Sequence, residues 1–264
     1  YGTYVNFNGG TYAAWCWKAG DNDEIITYTT KVVSDSGNKY RFDDFGTSAV
    51  TLELAEGQTY IFDLSDSSNS GHPIRFSTTS DGTHGGGSEY TTGVVTEGTP
   101  GSAGAKTTIT VASGAPTLHY YCSVHSGMGG QANTNTTKGY SNFDGTIQSR
   151  ISANTDAGFS IALVPGESTT TSTYGHGLGK APEFIIRKVT NTTGGWYVWH
   201  KDLPSSDGFL RLDTTDSHST TSIINGTQPT DTLVTMTPGN AQNDDGNTII
   251  TYNFTSIEGF SKFG

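Results

Sequence analysis

Apolar and polar residues alternate with a period of two over short stretches, then give way to clusters of Gly, Asn, Asp and Ser. Thr51-Leu-Glu-Leu54 and Thr59-Tyr-Ile-Phe-Asp-Leu64 show the pattern. A period of two sends alternate side chains to one face of a strand, and no segment keeps a helical period for long. The pattern predicts an all-β chain. Seven strands are expected at 25–33, 38–42, 50–54, 59–64, 72–77, 107–111 and 118–122. So many short strands in little more than a hundred residues suit a Greek-key sandwich. The polar stretch 78–105 reads as an ordered surface loop carrying one short strand. Beyond it, strands are expected at 184–189, 196–200, 209–212, 233–236 and 248–254, an antiparallel sandwich of jelly-roll type.

Two internal matches divide the chain. Gly9-Gly-Thr-Tyr-Ala-Ala-Trp-Cys-Trp-Lys-Ala-Gly20 is similar to the stretch from Gly246 to Gly259, a turn followed by an alternating aromatic strand. Gly158-Phe-Ser-Ile-Ala-Leu163 is similar to Gly259-Phe-Ser-Lys-Phe-Gly264. The second match lies about a hundred residues on, and together the two suggest a tandem array of sandwiches cut from a longer polypeptide. Short Gly-aromatic strands also look alike in any β-protein. The expected division is 1–20 as the terminal strand of a preceding or shared sandwich, 21–137 as one domain and 138–264 as another.

Composition narrows the partners. The net charge is −11, with only 14 Lys and Arg, which argues against nucleic acid and anionic membranes because both need basic patches. No apolar run approaches the ~20 residues of a membrane span. The first residues lack the basic and apolar regions of an export signal, so a removed leader or a fragment is expected. Hydrophobic content is low at 32%, yet 12 Phe, 13 Tyr and 4 Trp can fill thin sandwich cores.

The candidate chemistry lies in Cys122-Ser-Val-His125-Ser-Gly-Met128, directly after the strand-like Leu118-His-Tyr-Tyr121. A thiolate, an imidazole and a thioether on one short loop are three of the four donors of a type 1 copper site. The second imidazole is expected from His72, within Gly71-His-Pro-Ile-Arg-Phe76. Soft sulfur donors beside two imidazoles favour copper over hard cations. The bland alternative is a small buried Cys with His125 and Met128 merely closing a loop. A Cys16–Cys122 disulfide would remove the thiolate altogether. Strand alternation aims His119 away from Cys122, and His84 reads as a solvated loop residue. The acidic turns at Asp244-Asp245 and Asp213 to Asp216 ordinarily face solvent. Trp196 and Trp199 should face opposite sides of their strand, leaving one available for stacking on a glycan. Nucleophile elbows, phosphate loops and zinc-protease helices are absent, so a non-enzymatic protein is expected.

On these residues, 21–137 resembles a cupredoxin. Ala55-Glu-Gly-Gln-Thr-Tyr-Ile-Phe-Asp-Leu64, Gly71-His-Pro-Ile-Arg-Phe76 and Tyr120-Tyr-Cys-Ser-Val-His-Ser-Gly-Met128 are similar to that family's ligand-bearing strands and loop, the last with amicyanin-like spacing. The resemblance implies a cupredoxin-like Greek-key sandwich holding copper through equatorial His72, Cys122 and His125 and axial Met128. Pro73 departs from the family, whose Asn at that place bridges the two ligand loops.

A second resemblance covers the remainder. Trp15-Cys-Trp-Lys-Ala-Gly20, Gly175-His-Gly-Leu-Gly-Lys-Ala-Pro182 and Glu258-Gly-Phe-Ser-Lys-Phe-Gly264 are similar to repeat domains of tail-associated structural proteins of marine bacteriophages. That implies a lectin-like jelly roll on a virion surface or outside cells, binding other virion proteins, identical chains in a homo-oligomer, or a host glycan or receptor. The copper resemblance alone implies a secreted or periplasmic electron carrier instead.

Overall fold

The computed structural model describes residues 11, 16–20, 24–204, 208–221, 223–239 and 243–264. The chain is all-β, built as sandwiches. The first ten strands are β1 (Ile25–Ser34), β2 (Asn38–Phe42), β3 (Leu52–Ala55), β4 (Thr59–Asp63), β5 (Ile74–Ser77), β6 (Glu89–Tyr90), β7 (Val94–Glu97), β8 (Lys106–Thr110), β9 (Leu118–Cys122) and β10 (Gly130–Asn135). They form two five-stranded sheets, ordered β2-β1-β4-β8-β7 and β3-β10-β9-β5-β6. Each sheet is mixed: β1 runs parallel to β4, and β3 parallel to β10.

Alternation decides what lies between the sheets. Tyr28, Tyr40, Phe42, Leu52, Leu54, Tyr60, Phe62, Ile74, Phe76, Leu118, Tyr120 and Cys122 all point into one core. Large aromatics compensate for the low aliphatic content. Phe62, for example, meets Phe42 and Phe76 edge-on at 5.5 Å each, a favoured aromatic geometry.

Two expectations change here. The stretch 78–105 carries two strands, β6 and β7, together with a 3-10 turn at Gly82–Gly85. A polar run also proves to be a strand: Gly130–Asn135 lies in the middle of its sheet, between β9 and β3. Only Ala132 of that strand faces the core. Asn133 and Asn135 instead donate to the Glu53 carboxylate, at 2.8 and 3.3 Å. Pairing and side-chain bonds hold this strand where hydrophobic alternation cannot.

The second half contains β11 (Tyr140–Asn142), β12 (Ser149–Asn154), β13 (Phe159–Pro165), β14 (Ser172–Gly175), β15 (Phe184–Val189), β16 (Tyr197–His200), β17 (Leu210–Arg211), β18 (Leu233–Met236) and β19 (Thr248–Phe254). A seven-stranded sheet, β11-β12-β13-β19-β15-β16-β17, is faced by the ribbon β14-β18, and all its pairings are antiparallel. Its own core gathers Ile151, Val164, Tyr174, Ile185, Trp199, Val234, Met236 and Ile249. Among the described residues, no strand of the first half pairs with one of the second.

Of the segment 1–20, residues 1–10 and 12–15 lie outside the described residues, so the expected terminal strand is not described there. Residues 16–20 form no strand. Trp17 meets Phe254 edge-on at 5.3 Å and Phe159 at 6.4 Å, and the Asn154 side chain donates to the Lys18 carbonyl at 3.2 Å. These contacts all fall on the second sandwich.

Candidate metal centre

The register of β5 against β9 brings the candidate ligands together. Ile74 pairs with Cys122, and the Ser123 amide donates to the Pro73 carbonyl at 3.2 Å. Antiparallel strands continue past such a pair, so His72, two residues before Ile74, meets the loop that follows Cys122. A short turn fixes the approach to His72. Asp66 accepts from the Ser68 amide at 2.9 Å and opens a 3-10 turn over Ser67–Asn69. Asn69, fully buried, donates to the Thr30 carbonyl at 2.7 Å, and its own carbonyl accepts from the His72 amide at 2.8 Å. Pro73 then biases His72 towards extended backbone.

His72 Nδ1 and His125 Nδ1 each lie 3.8 Å from Cys122 Sγ. The two imidazole rings are 4.6 Å apart, centroid to centroid. The ligand atoms of all three side chains lie within 4.8 Å of one another, and no other such group of three occurs among the described residues. With metal–nitrogen and metal–sulfur bonds of about 2.0 and 2.3 Å, a trigonal metal separates N and S by about 3.7 Å and a tetrahedral one by about 3.5 Å. The two sulfur–nitrogen distances are close to the trigonal value.

Burial is graded across the set. Cys122 is wholly enclosed, His72 half-buried and His125 exposed. Burial, then the neighbouring His125, holds the His72 imidazole below its ordinary pKa, which favours the neutral form that ligates a metal. Met128 is buried in the same core as Cys122 and borders the same surface hollow as His125. Its carbonyl accepts from the Tyr40 amide at 3.0 Å.

Further residues hold the loop. Asp81 accepts from the Gly127 amide at 2.8 Å, and Lys39 donates to the Gly127 carbonyl. His84 Nε2 lies 3.0 Å from the Cys122 carbonyl oxygen, so this exposed residue is tied to the ligand loop as well as solvated. Sequence reasoning passed over Tyr40, Asp81 and Lys39 because none carries a ligand signature. His119 leaves Cys122 behind it, lining a separate hollow with Asp81 and Gln131. Cys16 and Cys122 are both free.

The acidic turns are engaged locally: Asp245 accepts from the Ser168 amide and Asp213 from the Trp196 amide. Trp199 is buried, whereas Trp196 is 37% exposed with the Lys188 ammonium 5.9 Å from its ring centre.

A family model described as "Domain of unknown function (DUF7483)" matches residues 131–264. The chain belongs to this family. No curated protein and no solved structure matches it. The match to DUF7483 begins inside β10 and covers the whole second sandwich. His72, Cys122, His125 and Met128 all precede it, so the candidate centre lies outside what defines the family.

Proposed function

We propose that this chain is a non-enzymatic structural module of a virion appendage, of tail-fibre or adhesin type, whose first sandwich binds one copper ion in a type 1 site. The observation that carries the copper reading is the convergence of His72 Nδ1, Cys122 Sγ and His125 Nδ1, each nitrogen 3.8 Å from the sulfur. The residues fit the metal: a thiolate and two imidazoles make the plane, and a buried thioether follows on the same loop as the weak axial donor. Copper bound there supplies a one-electron couple. The mixed sheets that support β5 and β9 are consistent with the cupredoxin resemblance. The appendage reading rests on the three strings similar to phage tail proteins and on Trp17 packing against the second sandwich. Partners on this reading are identical chains, other virion proteins, or a host glycan stacking on exposed Trp196.

A second reading, a secreted or periplasmic electron carrier, is favoured by one observation. His125 is exposed beside Val124, itself 56% exposed, which gives the centre an open apolar edge.

Titration of the purified protein with Cu(II) tests the copper reading. One equivalent should produce the intense visible absorption of a copper–thiolate bond, and Cys122→Ser should abolish it. Met128→Leu should keep copper and raise its reduction potential, because a weak donor to Cu(II) is gone. Copper bound without that absorption would refute the site. Recovery of the chain from purified viral particles supports the appendage reading; recovery only from the soluble extracellular fraction favours the carrier.

A further inference from the structure

Tyr40 lies on β2, in the sheet opposite the one that carries β5 and β9, and is fully buried. Its phenol donates to the His72 carbonyl at 3.0 Å. Its amide donates to the Met128 carbonyl at 3.0 Å, and its carbonyl accepts from the Ala49 amide at 2.8 Å. One residue thus grips both segments that supply ligands. Its single hydroxyl proton is committed to the His72 carbonyl. Pro73, directly after His72, has no polar side chain with which to span the two segments.

Resting on the copper reading above, we propose that Tyr40 is a positioning residue of the metal centre, locking the His72 and Met128 segments together through its hydroxyl and its amide. Outer partners of this kind orient ligands and tune the metal.

Tyr40→Phe keeps the ring and removes the hydroxyl. It should weaken copper binding by about tenfold to a hundredfold, the usual cost of losing such a partner. It should also shift the reduction potential and the copper–thiolate absorption, because the His72 segment is no longer held in place. Tyr120→Phe is the control: that phenol is buried in the same core but donates to Val50, at 2.7 Å. It should cost similar stability and leave affinity, potential and absorption at wild-type values. If Tyr40→Phe matches the wild type in all three, or Tyr120→Phe shifts them equally, the proposal fails while the copper reading stands. If the wild type binds no copper, both fall. Should Tyr40→Phe not fold, the wild type labelled with 13C at tyrosine Cζ decides. The Tyr40 Cζ resonance, assigned through that residue's own backbone, should shift when Cu(I) binds, and an unmoved resonance overturns the proposal.

Discussion

His176 shows how a residue that looks chemical can be structural. It sits in the glycine-rich string Gly175-His-Gly-Leu-Gly179, fully buried, with Nε2 3.1 Å from the Thr230 carbonyl and Nδ1 accepting from the Leu178 amide. Both nitrogens are used by backbone, which requires the neutral ring with its proton on Nε2. Burial holds its pKa below the ordinary value, against smaller opposing effects of Thr230, Asp144 and Asp231. The sign follows from linkage. An unfolded chain takes up this proton near pH 6.5, whereas the folded chain resists it, so stability present above that pH is lost as the pH falls through and below it. His176→Gln should therefore cost about 1–2 kcal/mol at pH 7.5, where its hydrogen bonds matter. The gap from wild type should narrow by pH 5. Urea unfolding at the two values measures it, and an unchanged gap would contradict the neutral assignment. The Cys122 to His125 spacing is local, and His72, Cys122 and His125, which the structure brings together, were legible from their donor types. Tyr40 was not, since its role depends on which strand packs across the sandwich.

At the level of elements, strands with apolar alternation could be read directly. The ranges 38–42 and 118–122 match β2 and β9 to the residue. Strand β10 escaped notice because its sequence is polar and opens with glycines. Those glycines have a physical cause. A Cβ on Gly129 would lie 1.7 Å from the Tyr120 carbonyl oxygen, and one on Gly130 would lie 2.7 Å from the Ala49 carbonyl oxygen. Only bare backbone fits where the ligand loop turns back along β9. Overpacking a tight site typically costs 1–3 kcal/mol. Gly129→Ala should fall at about 2 kcal/mol or more in urea unfolding. Because Gly129 follows Met128, the same variant should bind copper more weakly than the wild type. Gly104→Ala offers a control, as its Cβ would meet nothing within 4 Å and only its positive φ of 79° is strained. Its copper affinity should remain at the wild-type value.

Across the whole molecule, the sandwiches are joined by more than a linker. Glu53 of β3 pairs with Arg150 of β12 at 3.3 Å and also accepts from Asn133 and Asn135. The Tyr28 hydroxyl donates to the Ser141 carbonyl at 2.8 Å, and the Gln148 side chain donates to the Thr51 carbonyl at 2.8 Å. The half-buried ion pair is a single contact and contributes modestly by itself. Phe143 is the stronger tie. It follows β11, yet its ring packs in the first core, 5.4 Å from Tyr28, 5.5 Å from Phe45 and 5.9 Å from Phe42. The sequence boundary at 137 gave no sign of this, because one aromatic among polar residues carries no period. Removing a buried Phe costs about 3–5 kcal/mol. Phe143→Ala should therefore destabilise the first sandwich although the residue lies within the family match. The chain carries its own reporters: its four tryptophans, Trp15, Trp17, Trp196 and Trp199, all lie outside residues 24–137. Tryptophan emission thus follows the second sandwich, and amide exchange of the β9 segment follows the first. In the wild type the two signals should change together with urea. In Phe143→Ala the β9 amides should exchange at lower urea while the emission midpoint moves little. If both midpoints fell equally, the sandwiches would be one cooperative unit and Phe143 part of a common core.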